Sequence, residues 1–232
     1  MQAINCSRTG DRMFTEDSPP EALAGTLGYA AVKRAAEALV GEYARVRVRA
    51  RCPLSALTSL QAGLPVITLC PAEVYGANDT AMVTAGNLKA FLCDPLVVLP
   101  RSGGTSICAL QDVAAACVAA LTRGRPGQRY ILGGPNVSVE QLARATLRLG
   151  GARLERKPIL RLPSSLLLGA VRLLAALRLP VPVEPGVLAF AVLYWFVDSS
   201  RAQAELGYTQ RSVEDTLRPA VEWLRREGHF RA

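Results

Sequence analysis

The chain has 232 residues, of which 50% are hydrophobic and 20% are charged, and its mean hydropathy is +0.20. This composition suits one medium domain, or a core domain with a smaller appended one, and it excludes a largely disordered or collagen-like chain. The formal net charge is +8, but nearly all the cations are arginine, which is typical of a base-composition bias in the gene. The only histidine, His229, lies close to the C-terminus, which excludes a histidine base and a histidine-rich metal site, so we expect no bound metal.

The cysteines and the apolar stretches indicate a cytoplasmic protein. The six cysteines contain no C-x-x-C pair, so we expect reduced and mostly buried thiols in a reducing compartment. The N-terminus has no apolar signal core. The longest uncharged apolar stretch near the C-terminus, 187–197, has 11 residues and is too short to span a bilayer. We therefore expect no transmembrane segment.

In chain order, helices and short strands alternate over the first part of the sequence. The Ala-rich run at 28–43 has apolar residues at helical spacing and predicts a helix. The β-branched run at 66–70, closed by Pro71, is typical of a buried strand in a parallel sheet. Further strands are predicted at 96–99 and 130–132, with a helix at 112–122 between them. The alternation predicts an α/β domain.

The sequence pattern changes after Gly133 and Gly134, and helical periodicity dominates from there on. Ser138 and Gln141 have the spacing of a capping box, which predicts a helix start at this point. Further helices are predicted at 163–179 and about 212–227. We expect a boundary near residue 135, with an α/β domain built on a parallel sheet over 1–135 and a smaller, helix-rich domain over 136–232.

An arginine-rich insertion near 45–62 fits neither pattern. Its alternation of cations with apolar residues would suit a basic strand that meets phosphate, nucleic acid or a membrane surface, or a solvated insertion with one charged face. No aromatic residue interleaves with these arginines, so a nucleic-acid stacking platform is not supported, and we expect no nucleic-acid partner.

The most specific chemical motif is Tyr29-Ala-Ala-Val-Lys33. Residues at i and i+4 lie on one face of a helix, so the ammonium group can sit near the phenol oxygen. A phenol has a pKa of about 10, and a nearby cation favours its ionised form, which suits proton transfer to or from a substrate oxygen. The alternative is a packed tyrosine with a solvated lysine one turn further on.

Several motifs in order resemble one family. GYAAVKRAAEALV, GLPVITLCPAEVYGAND, ALQDVAAACVAAL, RGRPGQRYILGGPNVSVEQL and FVDSSRAQAELGY are similar to the extended short-chain dehydrogenases/reductases. The similarity is greatest to the NAD-dependent epimerase/dehydratase members, in the dihydroflavonol-reductase-like and hopanoid-associated sugar-epimerase-like branch. The resemblance implies a Rossmann-type domain for NAD or NADP, a small C-terminal substrate domain, and hydride transfer at a carbinol or carbonyl carbon.

The same resemblance implies roles for individual residues. Tyr29 matches the catalytic tyrosine and Lys33 its partner lysine, which also holds the cofactor ribose. Ser7, with Thr9 in reserve, matches the hydroxyl that orients the substrate oxygen, although Ser7 would also suit an ordinary position in a frayed terminus. Pro71 and Val74 match the segment whose backbone lies against the nicotinamide, or they form a simple exit from the strand.

Two departures from the family bear on activity. Cys70 occupies a position that is often asparagine in this branch, which puts a substrate contact in doubt because a thiol hydrogen-bonds weakly. No Gly-rich turn of the G-x-x-G-x-x-G or G-x-G-x-x-G type occurs, so we expect a missing dinucleotide cradle and weak cofactor binding by the chain alone.

Two functions are therefore left open from the sequence. The first is an NAD(P)-dependent oxidoreductase or epimerase that acts on a small molecule, impaired by the missing cradle. The second is a non-catalytic truncated paralogue, or an incomplete gene product, that binds a partner. The substrate, the choice between NAD and NADP, and a homo-oligomeric state are not determined by the sequence.

Overall fold

The computed structural model describes residues 5–21, 27–45, 65–181 and 185–231. The arginine-rich insertion predicted near 45–62 lies outside these residues, apart from its first position.

Helices and strands alternate along the described chain. The helices are α1 (Gly28–Arg45), α2 (Ala85–Cys93), α3 (Leu110–Arg123), α4 (Val139–Gly150), α5 (Ala152–Glu155), α6 (Ser164–Ala176), α7 (Pro185–Ala191), α8 (Ser200–Leu206) and α9 (Val213–Arg226). The strands are β1 (Thr68–Pro71), β2 (Glu73–Tyr75), β3 (Val97–Pro100), β4 (Gly104–Ala109), β5 (Arg129–Leu132), β6 (Asn136–Ser138), β7 (Ile159–Leu162) and β8 (Tyr194–Trp195).

Most of the strand pairs are parallel. β1 pairs with β5, β2 with β4, β3 with β7 and β8 with β4, while β6 pairs antiparallel with β4. A single residue, Ala72, separates β1 from β2, and its N–H donates to the carbonyl of Leu132 at 3.0 Å. The chain therefore steps directly from the β1–β5 pair to the β2–β4 pair.

The hydrophobic core is made of several clusters around these strands. The larger cluster packs α2, α4 and α9 against β2 and β4, with Tyr75, Ile107 and Leu217 fully buried. A second cluster packs α3 and α8 against β5 through Tyr130 and Leu132. The alternation of strands and helices around these clusters confirms the α/β class predicted from the sequence.

The predicted helix at 28–43 is confirmed as α1, and the predicted capping box is present at the start of α4. The Ser138 hydroxyl accepts from the Gln141 N–H at 3.1 Å, and the Gln141 side chain accepts from the Ser138 N–H at 2.8 Å. β2, which contains Val74, and β4, which pairs with it, were not predicted from the sequence patterns. Among the described residues, no helix is both long and apolar enough to cross a membrane.

Candidate functional site

Tyr29 and Lys33 lie one turn apart in α1, as the spacing predicts. The Lys33 Nζ lies 5.6 Å from the centroid of the Tyr29 ring, within the range of a cation–π contact. Tyr29 is 46% exposed, so its ring is not enclosed by packed aliphatic side chains. The structure therefore gives a phenol and an ammonium group on one accessible helix face.

A small aromatic cluster seats the N-terminal turn of α1. Ala30 is fully buried and packs with Cys6 and Trp195. Phe190 stacks on Trp195 with ring centroids 4.0 Å apart and meets the Tyr29 ring edge-on at 6.4 Å. Phe190 thus contacts one side of the Tyr29 ring, while much of the ring surface is exposed to solvent.

Ser7 is ordered and buried, with 7% of its surface exposed. Its backbone forms two hydrogen bonds with Tyr194, both of 2.9 Å. Its hydroxyl accepts from the Thr9 N–H at 3.1 Å and lies 3.2 Å from the Thr9 hydroxyl. The residues next to this pair, Cys6 and Trp195, belong to the cluster that seats α1. The fold therefore brings the Ser7 and Tyr29 segments against one cluster.

Pro71 and Val74 lie where β1 passes into β2. Pro71 is opposite Leu132 in β5, and Val74 is opposite Cys108 in β4. Val74 packs against the small buried cluster that contains Cys70 and Cys108. The carboxyl end of a parallel strand is the edge at which ligands of α/β proteins bind.

The cysteines at this edge are buried and protonated. Burial raises the pKa of the Cys70 thiol to about 11, and the nearby Glu37 carboxylate adds to this effect. Burial likewise raises the pKa of Cys108 to about 12. A protonated thiol is a weak hydrogen-bonding group and a poor nucleophile, so Cys70 offers no covalent chemistry here.

An ion-pair network that the sequence patterns did not predict ties α1 to the sheet. The Glu37 carboxylate lies 2.6 Å from the Arg129 guanidinium at the start of β5. Arg129 also donates to the backbone carbonyl of Glu16. Desolvation would lower the pKa of Arg129, but the hydrogen bond and charge of Glu37 outweigh it, and the pKa is raised. The sequence signal that could have drawn attention to Glu37 is its position four residues after Lys33, on the same face of the helix.

A partly buried acid in β2, Glu73, was also not predicted as a site residue. The Tyr75 hydroxyl donates to the Glu73 carboxylate at 2.8 Å, and the Asn87 amide lies 3.4 Å from the same oxygen. Burial raises the pKa of Glu73, while its hydrogen bonds, the one from Tyr75 first, oppose this shift. Burial and the adjacent carboxylate hold the pKa of Tyr75 well above its usual value.

Asp112 has a structural role. It lies in the first turn of α3, is buried, and receives the Nε–H of Arg211 at 2.9 Å. Trp195 is also buried, and its indole N–H donates to the carbonyl of Phe190 at 3.0 Å. Neither residue presents a free reactive group to the face that carries Tyr29 and Lys33.

Comparison with known proteins shows similarity to a protein named as a reductase and to a sugar-nucleotide epimerase. A Synechocystis protein that carries the name dihydroflavonol 4-reductase is 27% identical over 202 residues, which are 84% of this chain and 58% of the relative. A nucleoside-diphosphate-sugar epimerase from Pseudomonas aeruginosa is 25% identical with a TM-score of 0.72, covering 99% of this chain and 65% of that one.

A third similar protein shows the same fold at lower identity. The dTDP-glucose 4,6-dehydratase DesIV from Streptomyces venezuelae, solved with NAD bound, has a TM-score of 0.63 and 20% identity, covering 95% of this chain and 56% of that one. No family model matches the chain. The chain therefore spans between about half and two thirds of the length of the proteins it resembles.

Proposed function

We propose that this chain, a member of the extended short-chain dehydrogenases/reductases related to NAD-dependent epimerases and dehydratases, supports NAD(P)-dependent hydride transfer at a carbinol or carbonyl carbon. The proposal rests on one observation above the rest: Tyr29 and Lys33 share an accessible face of α1, with the ammonium group over the phenol ring. The relatives point to a small-molecule substrate, a sugar nucleotide or a dihydroflavonol-like ketone.

The residues present fit the nicotinamide half of the cofactor. Lys33 offers an exposed ammonium group for the ribose hydroxyls, and Pro71 and Val74 lie at the strand end where the nicotinamide would rest. No Gly-rich turn occurs in the sequence, so no residue here is assigned to the pyrophosphate. When bound, the reduced nicotinamide supplies a hydride to the substrate carbon.

The protein's own residues move and hold the proton. In the direction of reduction, the Tyr29 phenol O–H donates its proton to the carbonyl oxygen as the carbon gains the hydride, and a carbinol forms. In the reverse direction, the Tyr29 oxygen takes the carbinol proton. The Lys33 cation stabilises the negative charge that develops on the phenol oxygen, because its Nζ lies 5.6 Å from the centroid of the phenol ring and a cation favours the ionised form. The Ser7 hydroxyl orients the substrate oxygen.

These roles assign different tasks to the two parts of the chain. We propose that 1–135 carries the cofactor-facing and proton-transferring residues, and that 136–232 shapes the substrate cleft. Strand β4 pairs with β6 and β8, so the two parts share one sheet.

Titration of the chain with NADH and NADPH, followed by fluorescence, tests the proposal. We expect weak binding, with a Kd above about 1 μM, because the pyrophosphate has no assigned cradle. Lys33→Met should weaken binding by about tenfold, since one charge-assisted hydrogen bond is lost, whereas Tyr29→Phe should change it less than about twofold. Lys89→Met, in α2, is the matched control.

Two results would contradict the proposal. One is the absence of saturable binding of either dinucleotide by the unsubstituted chain. The other is an equal effect of Lys33→Met and Lys89→Met, which would show that the cofactor does not contact α1. A submicromolar Kd would instead contradict the expectation of a missing cradle.

A further inference from the structure

The helix that carries Tyr29 and Lys33 has little apolar anchorage. Among the described side chains of α1, Ala30 is fully buried, whereas Val32, Leu39 and Val40 are exposed. A single methyl group makes only a small contact area, and apolar contact strength follows buried area. Packing near Ala30 therefore holds the N-terminal turn against the cluster, but it constrains the rotation of the helix about its own axis only weakly.

Glu37 lies on the same stripe of α1 as the two candidate catalytic residues. Tyr29, Lys33 and Glu37 follow one another at intervals of four residues, so they project from one side of the helix. The Glu37 carboxylate is 2.6 Å from the Arg129 guanidinium, and only 20% of the Glu37 side chain is exposed. Wherever Arg129 holds Glu37, it also sets the direction of Tyr29 and Lys33.

Arg129 joins three segments of the fold. Its backbone is in β5, opposite Thr68 of β1. Its guanidinium donates to Glu37 of α1 and to the backbone carbonyl of Glu16, in the loop that follows Ser7. The Glu16 carboxylate in turn accepts the Ile131 N–H of the same strand at 2.8 Å. The helix with Tyr29 and the loop after Ser7 are thus tied to one strand.

We propose that the Arg129–Glu37 ion pair is a positioning device, which fixes the rotation of α1 so that Tyr29 and Lys33 face the cofactor together. Arg129 and Glu37 are positioning residues, and neither is assigned a contact with substrate or cofactor. This inference rests on the proposed function for the roles of Tyr29 and Lys33. The geometry of the ion pair itself does not depend on catalysis.

Hydrogen exchange measured by mass spectrometry on the whole chain tests the proposal. Arg129→Met and Glu37→Gln should each speed amide exchange in the peptides of α1 by about tenfold, and the double variant should be no faster than either single one. Exchange in α9 should be unchanged. The matched control is Arg148→Met, which removes a 2.8 Å ion pair between α4 and α9 with Glu214 and should leave α1 protected.

A second readout separates positioning from a general loss of order. Apparent affinity falls with the fraction of molecules whose site is correctly arranged, so Arg129→Met should weaken NADH binding by about fivefold and Arg148→Met should not. Arg129→Lys should recover part of both effects, because a single ammonium group can pair with Glu37 but does not reproduce the fork that also reaches Glu16.

The results also distinguish this inference from the proposed function. Unchanged exchange in α1 for both Arg129→Met and Glu37→Gln, or an equal rise in Arg148→Met, would overturn the role of the ion pair. Failure of the unsubstituted chain to bind either dinucleotide would contradict the proposed function, while the exchange measurement would still decide what holds α1.

Discussion

At the scale of single residues, the candidate site contains two kinds of group: buried thiols, which stay neutral, and side chains that are exposed to solvent. Cys70 and Cys108 are protonated because they are buried. Tyr29 and Lys33, by contrast, are exposed on α1. The candidate pair is therefore accessible to solvent, whereas the buried thiols act as small apolar side chains.

Glu73 gives a prediction at this scale. Burial raises its pKa above the ordinary value of 4.5, so the folded protein holds this proton where the unfolded chain has lost it. The stability that Glu73 contributes is present in full below pH 4.5 and is lost as the pH rises through its folded pKa. Glu73→Gln keeps an acceptor for Tyr75 and cannot ionise.

We expect urea unfolding at pH 4.5 and pH 7.5 to show a stability gain of Glu73→Gln over the unsubstituted protein that grows with pH. The exposed Glu222 of α9 provides the control substitution, Glu222→Gln. If the difference between Glu73→Gln and the unsubstituted protein were the same at both pH values, the raised pKa would be contradicted.

At the scale of elements, close backbone contacts position β4 beside α7 and β8. Gly103, immediately before β4, has φ +113°, and a Cβ there would lie 1.9 Å from the carbonyl oxygen of Ala191. Its own carbonyl accepts the Val139 N–H at the start of α4. Gly103 and Gly104 therefore allow neighbouring segments to pack closely against the start of β4.

Gly103→Ala should lower the free energy of unfolding by about 2–4 kcal/mol, because it adds backbone strain and a clash with fixed backbone. Gly169→Ala is the control, since Gly169 lies inside α6 with no atom near its added Cβ. That substitution should leave stability unchanged or raise it by up to about 1 kcal/mol. Equal losses in the two variants, measured by urea unfolding, would show that the contact at Gly103 is not tight.

The elements also show which features a sequence can predict. α1 and the start of α4 depend on local periodicity and on the Ser138 capping box, so both were predicted close to their observed bounds. β2 is only three residues long and includes Glu73, so no apolar run identified it. Its pairing with β4 and the Glu37–Arg129 contact, which joins residues 92 positions apart, are set by the fold and have no local pattern.

At the scale of the whole molecule, the described elements form an α/β unit in which strands and helices from both halves of the chain pack together. The candidate residues for proton transfer come from the N-terminal loop and α1, the candidate nicotinamide contacts from β1 and β2, and the tie between them from β5. Arg129 of β5 thus links α1 with the N-terminal loop, two segments that are far from it in sequence.

The most direct test of the proposed function is a crystal structure of the chain with NADH. We expect the Lys33 ammonium group within about 3 Å of a ribose hydroxyl, and the Tyr29 hydroxyl beside the nicotinamide ring next to Pro71 and Val74. A nicotinamide ring bound away from α1, or a Tyr29 side chain turned from it with Lys33 free in solvent, would contradict the assignment of this pair to proton transfer.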